Sequence, residues 1–234
     1  VRHRTWVGRS AAGLALGLAL ALSGCSSSTK KPEPVALPAV SGSLAVSKVW
    51  TARVGEVSTP LQASVIGTRV ILASTQGLVL ELDAQSGREI WRHQLPAAVL
   101  AGVGSDGKRH AVVTSSNELL VLEAGRELWR QKLQAQTFTA PLVAGERVFV
   151  QSADRSVLAY DGATGQRLWA LQRNADPLVL RQAGVLTAVA DTLLAGNGGR
   201  LSAIAPLNGK VRWDVVIGSS RGTNEVERLV DLVA

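Results

Sequence analysis

The chain has 234 residues, a net charge of +7, one cysteine and 46% hydrophobic residues. One cysteine excludes an internal disulfide framework, and the apolar content excludes a chain that stays disordered. Arg2, Arg4 and Arg9 supply three of the seven net charges, and no basic stripe with interleaved aromatics follows, so the charge does not indicate a nucleic-acid partner.

Taken in chain order, the first element is an apolar run of 12 residues, Ala11 to Leu22, behind those arginines. It is too short to cross a bilayer as a helix and reads as the h-region of a signal peptide over residues 1–24. The run ends in Leu22-Ser23-Gly24-Cys25, which resembles the lipobox of bacterial lipoproteins. That resemblance implies cleavage before Cys25, a diacylated thiol and an acylated new amine. Each buried methylene of such chains contributes about 0.8 kcal/mol to membrane binding. Ser26 stands where an aspartate favours inner-membrane retention in that class, which implies an outer-membrane destination. Residues 25–47 are rich in Ser, Pro and Lys and read as a lipidated flexible tether.

From residue 48 onward, short apolar stretches alternate with glycine-containing turns, which predicts an all-β protein. After Trp6, the tryptophans are Trp50, Trp91, Trp129, Trp169 and Trp213, at spacings of 41, 38, 40 and 44 residues. A period near 40 without helical patterning predicts the four-stranded antiparallel blades of a β-propeller. Gly87, Gly125, Gly165 and Gly209 each lie four residues before a tryptophan. They mark hairpin turns that need positive φ, with Asp83 and Asp161 placed to bond turn amides. The resulting map has blade 1 at 60–95, blade 2 at 97–133, blade 3 at 138–172 and blade 4 at 185–216. The first strand of blade 2 is expected at 98–103, a closing strand around Trp50 at 48–54, and the start of another inter-blade connection at 217–234. The repeated tryptophans and glycines are read as architecture, packing blade on blade.

Candidates for chemistry are few. Gly102 to Gly107 reads GVGSDG, but a dinucleotide site needs that pattern between a strand and a helix; here it falls between the first two strands of blade 2. Gly196 to Gly199 reads as a tight turn. His93 and His110 lie on different strands with no carboxylate or cysteine at metal-ligand spacing, and no nucleophile elbow occurs. The sequence therefore offers no catalytic residue, metal site or cofactor site. Every connection from a blade's last strand to the next blade's first crosses the same face. That face gathers the stretches around Leu178, Leu180 and Arg181 and around Arg221, Glu225, Arg228 and Asp231, apolar anchors within a charged surround, as partner sites are built.

The Asp-x-x-Ser/Thr-Gly-x-x-x-Trp repeat resembles the tryptophan motif of quinoprotein-like propellers, the PQQ-like repeat. Joined to the lipobox and to RGTNEVERLVD (Arg221 to Asp231), it resembles the BamB family of outer-membrane protein assembly lipoproteins. That family is eight-bladed, and the match covers about 45–231, so the resemblance implies about four of eight blades. Val233 departs from the family's second loop aspartate, and premature truncation or a split gene is the expectation for that end. The resemblance further implies a non-catalytic scaffold docking on a BamA-like barrel protein and its assembly complex through Leu178, Leu180, Arg181 and Asp231. Nascent outer-membrane proteins are a further implied partner. The other reading is a periplasmic quinoprotein-like binding or dehydrogenase fragment.

Overall fold

The structure, a computed structural model, describes residues 47–57, 62–172, 183–197 and 199–218. Among them sixteen strands form four antiparallel sheets of four. Blade 1 is β1 (Ser64–Ile66), β2 (Arg69–Ala73), β3 (Leu78–Asp83) and β4 (Glu89–Gln94). Blade 2 is β5 (Gly104–Ser105), β6 (Arg109–Val113), β7 (Glu118–Glu123) and β8 (Arg126–Lys132). Blade 3 is β9 (Leu142–Ala144), β10 (Arg147–Gln151), β11 (Val157–Asp161) and β12 (Arg167–Leu171). Blade 4 is β13 (Val185–Val189), β14 (Thr192–Asn197), β15 (Arg200–Ile204) and β16 (Val211–Val216). The first strands meet in succession, β1 with β5, β5 with β9 and β9 with β13, which makes them the inner rank of a β-propeller.

Alternation along each middle strand assigns successive side chains to opposite seams. Val112, Leu120 and Leu122 of blade 2 pack on Ile71, Ala73 and Val79 of blade 1. Their neighbours Ala111, Val113, Leu119 and Val121 pack the other way, on Val148, Val150 and Tyr160 of blade 3. Phe149, Val157 and Ala159 then meet Leu193, Ala195 and Ile204 of blade 4. Strands buried on both sides are nearly continuous apolar runs, which is why LLVL at 119–122 shows no polar alternation.

Tryptophans join these seams at one end. The glycine of each turn lies under the preceding tryptophan in the chain. A β-carbon there would stand 2.6 Å from Trp50 at Gly87, 3.1 Å from Trp91 at Gly125, 2.6 Å from Trp129 at Gly165 and 2.7 Å from Trp169 at Gly209. Three of the indoles also donate across the seam to the carbonyl three residues before that glycine: Trp50 to Ala84 at 2.9 Å, Trp129 to Gly162 at 2.9 Å and Trp169 to Pro206 at 2.8 Å. Trp213 is 47% exposed, with no following turn among the described residues.

Two expectations differ from what is found. Residues 48–54 are not in a sheet; Trp50 sits over blade 1 from an extended segment whose Glu56 carbonyl accepts from Thr75 N at 3.1 Å. The pairing strand of blade 2 is Gly104–Ser105, not 98–103, where only Val99 bridges Thr114. The reason is crowding among inner strands. A β-carbon on Gly104 would lie 1.9 Å from Pro141 O, and the amide of Val103 turns sideways to Gln62 O at 3.4 Å. The GVGSDG stretch is thus strand and turn together: its first half lets backbones approach, and Asp106 Oδ1 accepts from the amides of Lys108 and Arg109 at 2.9 and 2.7 Å.

Candidate docking face

Four antiparallel strands per blade bring two kinds of loop to one end: the turns between second and third strands, and the connections between blades. On this face each turn is tied to the connection before it. Thr75, Ser115 and Ala153 donate their amides to Glu56, Ala98 and Gln136, at 3.1, 2.7 and 2.7 Å. Leu95 and Leu133, at the starts of two connections, donate back to Gly77 and Asn117 at 2.9 Å each. The described loops on this face are therefore a hydrogen-bonded platform and not independent arms.

A cleft of about 460 Å³ opens on this face between blades 3 and 4, lined among others by Gln151, Arg155, Asn197, Arg200, Ser202 and Asp214. Strand register explains it. The cross-strand trio facing the preceding blade is Leu72-Leu80-Arg92 in blade 1, Val112-Leu120-Arg130 in blade 2 and Val150-Leu158-Ala170 in blade 3. In blade 4 it is Ala195-Ser202-Asp214. A leucine at the centre has become a serine, so the seam is not filled. Asp214 accepts from Ser202 Oγ at 2.9 Å and from Arg200 Nη1 at 2.7 Å.

Two further features lie at the blade 3 wall. Gln151 is 3% exposed and donates Nε2 to Gly196 O at 3.3 Å, while its buried Oε1 has no hydrogen-bond partner among the described residues. An unmet buried acceptor costs about 1–3 kcal/mol and is suited to an incoming N–H or O–H. Arg155 has φ of +64° at the turn position where blade 1 has Gly77 and blade 2 has Asn117. A bulky residue held left-handed is strained, and such strain gathers at binding sites.

Cys25, Leu178, Leu180, Arg181, Arg221, Glu225, Arg228 and Asp231 lie outside the described residues. The described ends of their two connections border the cleft. Gly184 donates its amide to Thr139 Oγ1 at 2.9 Å and passes so close that a β-carbon on it would lie 2.7 Å from Gln151 Oε1. Ile217 and Gly218 donate to Gly199 O at 2.8 and 3.2 Å, beside Arg200. Sequence reading did not find the cleft, although stacking the four copies of the third strand exposes it: Leu80, Leu120 and Leu158 against Ser202.

The same stacking isolates Glu81, where the other blades have Val121, Ala159 and Ala203 opposite the tryptophan. Glu81 is buried and lies 3.3 Å from His110. The two residues come from different blades, and sequence spacing carries no trace of their contact.

Four-stranded blades locked by a tryptophan over the next blade's turn define the quinoprotein-like propellers. A likeness to the quinohemoprotein alcohol dehydrogenase of Comamonas testosteroni agrees with this fold, with a TM-score of 0.54 and 16% identity over 69% of this chain and 35% of that one. The sequence profile for outer membrane protein assembly factor BamB matches residues 35–102 and 75–234, and the chain belongs to that family. It is 34% identical to the Bordetella pertussis BamB over 220 residues, covering 92% of this chain and 57% of the relative. It is also 34% identical to the Burkholderia pseudomallei BamB over 230 residues, covering 96% and 60%. The crystal structure of BamB from Moraxella catarrhalis superposes with a TM-score of 0.64 at 23% identity, covering 74% of this chain and 54% of that one. The chain thus spans less than two thirds of the length of these relatives.

Proposed function

We propose that this chain forms part of a non-catalytic scaffold lipoprotein that helps assemble β-barrel proteins in the outer membrane. Cys25 anchors it by lipid at the periplasmic face, and the connections flanking blade 4 dock it on a BamA-like barrel protein and its assembly complex. The observation that carries this reading is the convergence of both connections' described ends, Gly184 and Gly218, on one polar cleft. In this reading Leu178, Leu180, Arg181, Arg221, Glu225, Arg228 and Asp231, on the same two connections, supply the anchors and charges for docking. The second reading is a periplasmic quinoprotein-like binding or dehydrogenase fragment, which a cofactor absorbance scan of the purified protein separates from the first.

The test is capture of the barrel partner's periplasmic domains by the full-length protein. Truncating a central anchor costs about 2 kcal/mol or more, so Leu180→Ala is expected to weaken capture, as is Arg181→Glu. Asp83→Ala alters a turn at the opposite end and is expected to lower stability with capture intact. Parent-like capture by a folded Arg181→Glu variant overturns this docking face.

A further inference from the structure

Both histidines among the described residues stand at one seam, between blades 1 and 2. That seam differs from the others in its turn. Blade 2 joins β7 to β8 through Ala124 and Gly125 alone, both at positive φ. Trp91 does not donate to a turn carbonyl there; its Nε1 donates to Glu81 Oε2 at 2.8 Å. His93 reaches Gly125 O through Nδ1 at 2.9 Å. His110 occupies the register position of Val70, Val148 and Leu193 in the other blades. Its ring lies 5.1 Å from that of Trp91.

Glu81 is 2% exposed and His110 is 1% exposed. Arg69 Nη1 donates to Glu81 Oε1, and His110 Nε2 lies 3.3 Å from Oε2. Ser105 Oγ is 2.9 Å from His110 Nδ1 and itself accepts from Gly107 N at 3.0 Å. Two proton arrangements satisfy the set. In the neutral imidazole Nε2–H donates to Glu81 and the Ser105 hydroxyl donates to a bare Nδ1; in the imidazolium the hydroxyl turns and accepts from Nδ1–H. Burial holds its pKa below the ordinary 6.5, although Glu81, Asp106 and Glu123 oppose that shift and Arg69 adds to it. Glu123 is itself shared with Lys108 and Arg109, at 3.8 and 3.6 Å.

We propose that this seam is an acid-sensitive joint: a proton taken from solvent by Nδ1 of His110 reverses the Ser105 bond and sets a second, buried cation against the Glu81 carboxylate, whose charge Arg69 already offsets, so blades 1 and 2 part before blades 2 and 3. The neighbouring seam has no such group, because Trp129 is held by the Gly162 carbonyl, which does not titrate. His93, whose Nδ1–H donates to the backbone carbonyl of Gly125, serves as the control. The sign follows from linkage. A histidine with a depressed folded pKa contributes stability that is complete above about 6.5. That contribution is lost as pH falls from there towards the folded value.

Hydrogen exchange of the intact protein at about pH 7.5 and about pH 5 tests the joint, after correction for intrinsic exchange. Peptides covering 89–95 and 104–113 are expected to lose protection in acid relative to 142–161. The loss is about tenfold for each unit by which the folded pKa lies below the ordinary one. His110→Gln, which still donates to Glu81 and does not titrate, is expected to abolish the difference, and His93→Gln to keep it. An equal response at both seams, or a response surviving in His110→Gln, overturns the proposal. Should that variant not fold, NMR titration of the parent decides: a His110 ring titrating at or above 6.5 overturns it.

Discussion

Trp129 of blade 2 lies over Gly165 of blade 3, so closely that a β-carbon on the glycine would stand 2.6 Å from the indole Cδ2. The same ring donates Nε1 to Gly162 O at 2.9 Å. Gly165 is also left-handed, at φ +73°, so two independent constraints exclude a side chain. Gly165→Ala is expected to lower unfolding stability by about 3 kcal/mol or more, from left-handed strain plus overpacking. Gly145, at φ +56° with nothing within 4 Å of a built β-carbon, isolates the first term; Gly145→Ala is expected to cost about 1–2 kcal/mol. Urea midpoints of the two variants check the difference.

The two ways of holding an indole differ in cost when the donor is removed. Trp129→Phe leaves a backbone carbonyl unmet and is expected to lose about 1 kcal/mol. Trp91→Phe takes a donor from the buried carboxylate of Glu81, and bonds to charged groups are worth about 1.5–3 kcal/mol. Chemical denaturation of both variants is expected to rank Trp91→Phe as the more destabilised. The reverse order contradicts the role given to Glu81.

The blade count was legible because tryptophan and glycine repeat at a period that local turn chemistry reinforces. Which glycine each indole covers was not legible: Gly165 lies four residues before Trp169, yet it serves Trp129 on the neighbouring blade. The missed features share that character. Glu81 meets His110, and Ser202 leaves a gap against blade 3, only once strands are set in register and stacked. The first strand of blade 2 was misplaced because crowding at Pro141 and Gln62, not local propensity, decides where pairing starts.

Acid stability carries a second signature at the turns. Bonds from the amide and then the hydroxyl of Thr164 hold the Asp161 carboxyl below its ordinary 3.8. The Ser86 hydroxyl and amide do the same for Asp83. A carboxyl with a depressed folded pKa contributes stability that is present above the unfolded value and lost as pH falls through the folded one. Asp161→Asn is therefore expected to be less stable than the parent near neutrality and to converge with it as pH falls from the ordinary 3.8 through the lower folded value. Thermal midpoints across that range check it.

The proposed lipidation of Cys25 is tested separately. Cys25→Ser is expected to shift the protein from the membrane to the soluble fraction or to leave it unprocessed. Mass spectrometry of the N-terminal peptide of the membrane-extracted parent is expected to find acylated Cys25. An unmodified cysteine still preceded by Gly24 refutes the anchor.

Arg155 offers a way to separate docking from folding. Its left-handed backbone costs about 1–2 kcal/mol that glycine would not incur, and blade 1 has Gly77 at the same turn position. Arg155→Gly is expected to weaken capture of the barrel partner, with circular dichroism reporting the fold. Ser202→Leu restores the leucine of the other three blades and fills the cleft from the opposite wall. It too is expected to keep the fold and lose capture, whereas Ser116→Leu, on an exposed turn of the same face at blade 2, keeps both. Should both cleft variants stay folded and bind like the parent, the cleft is a packing gap, and docking rests on the connections alone.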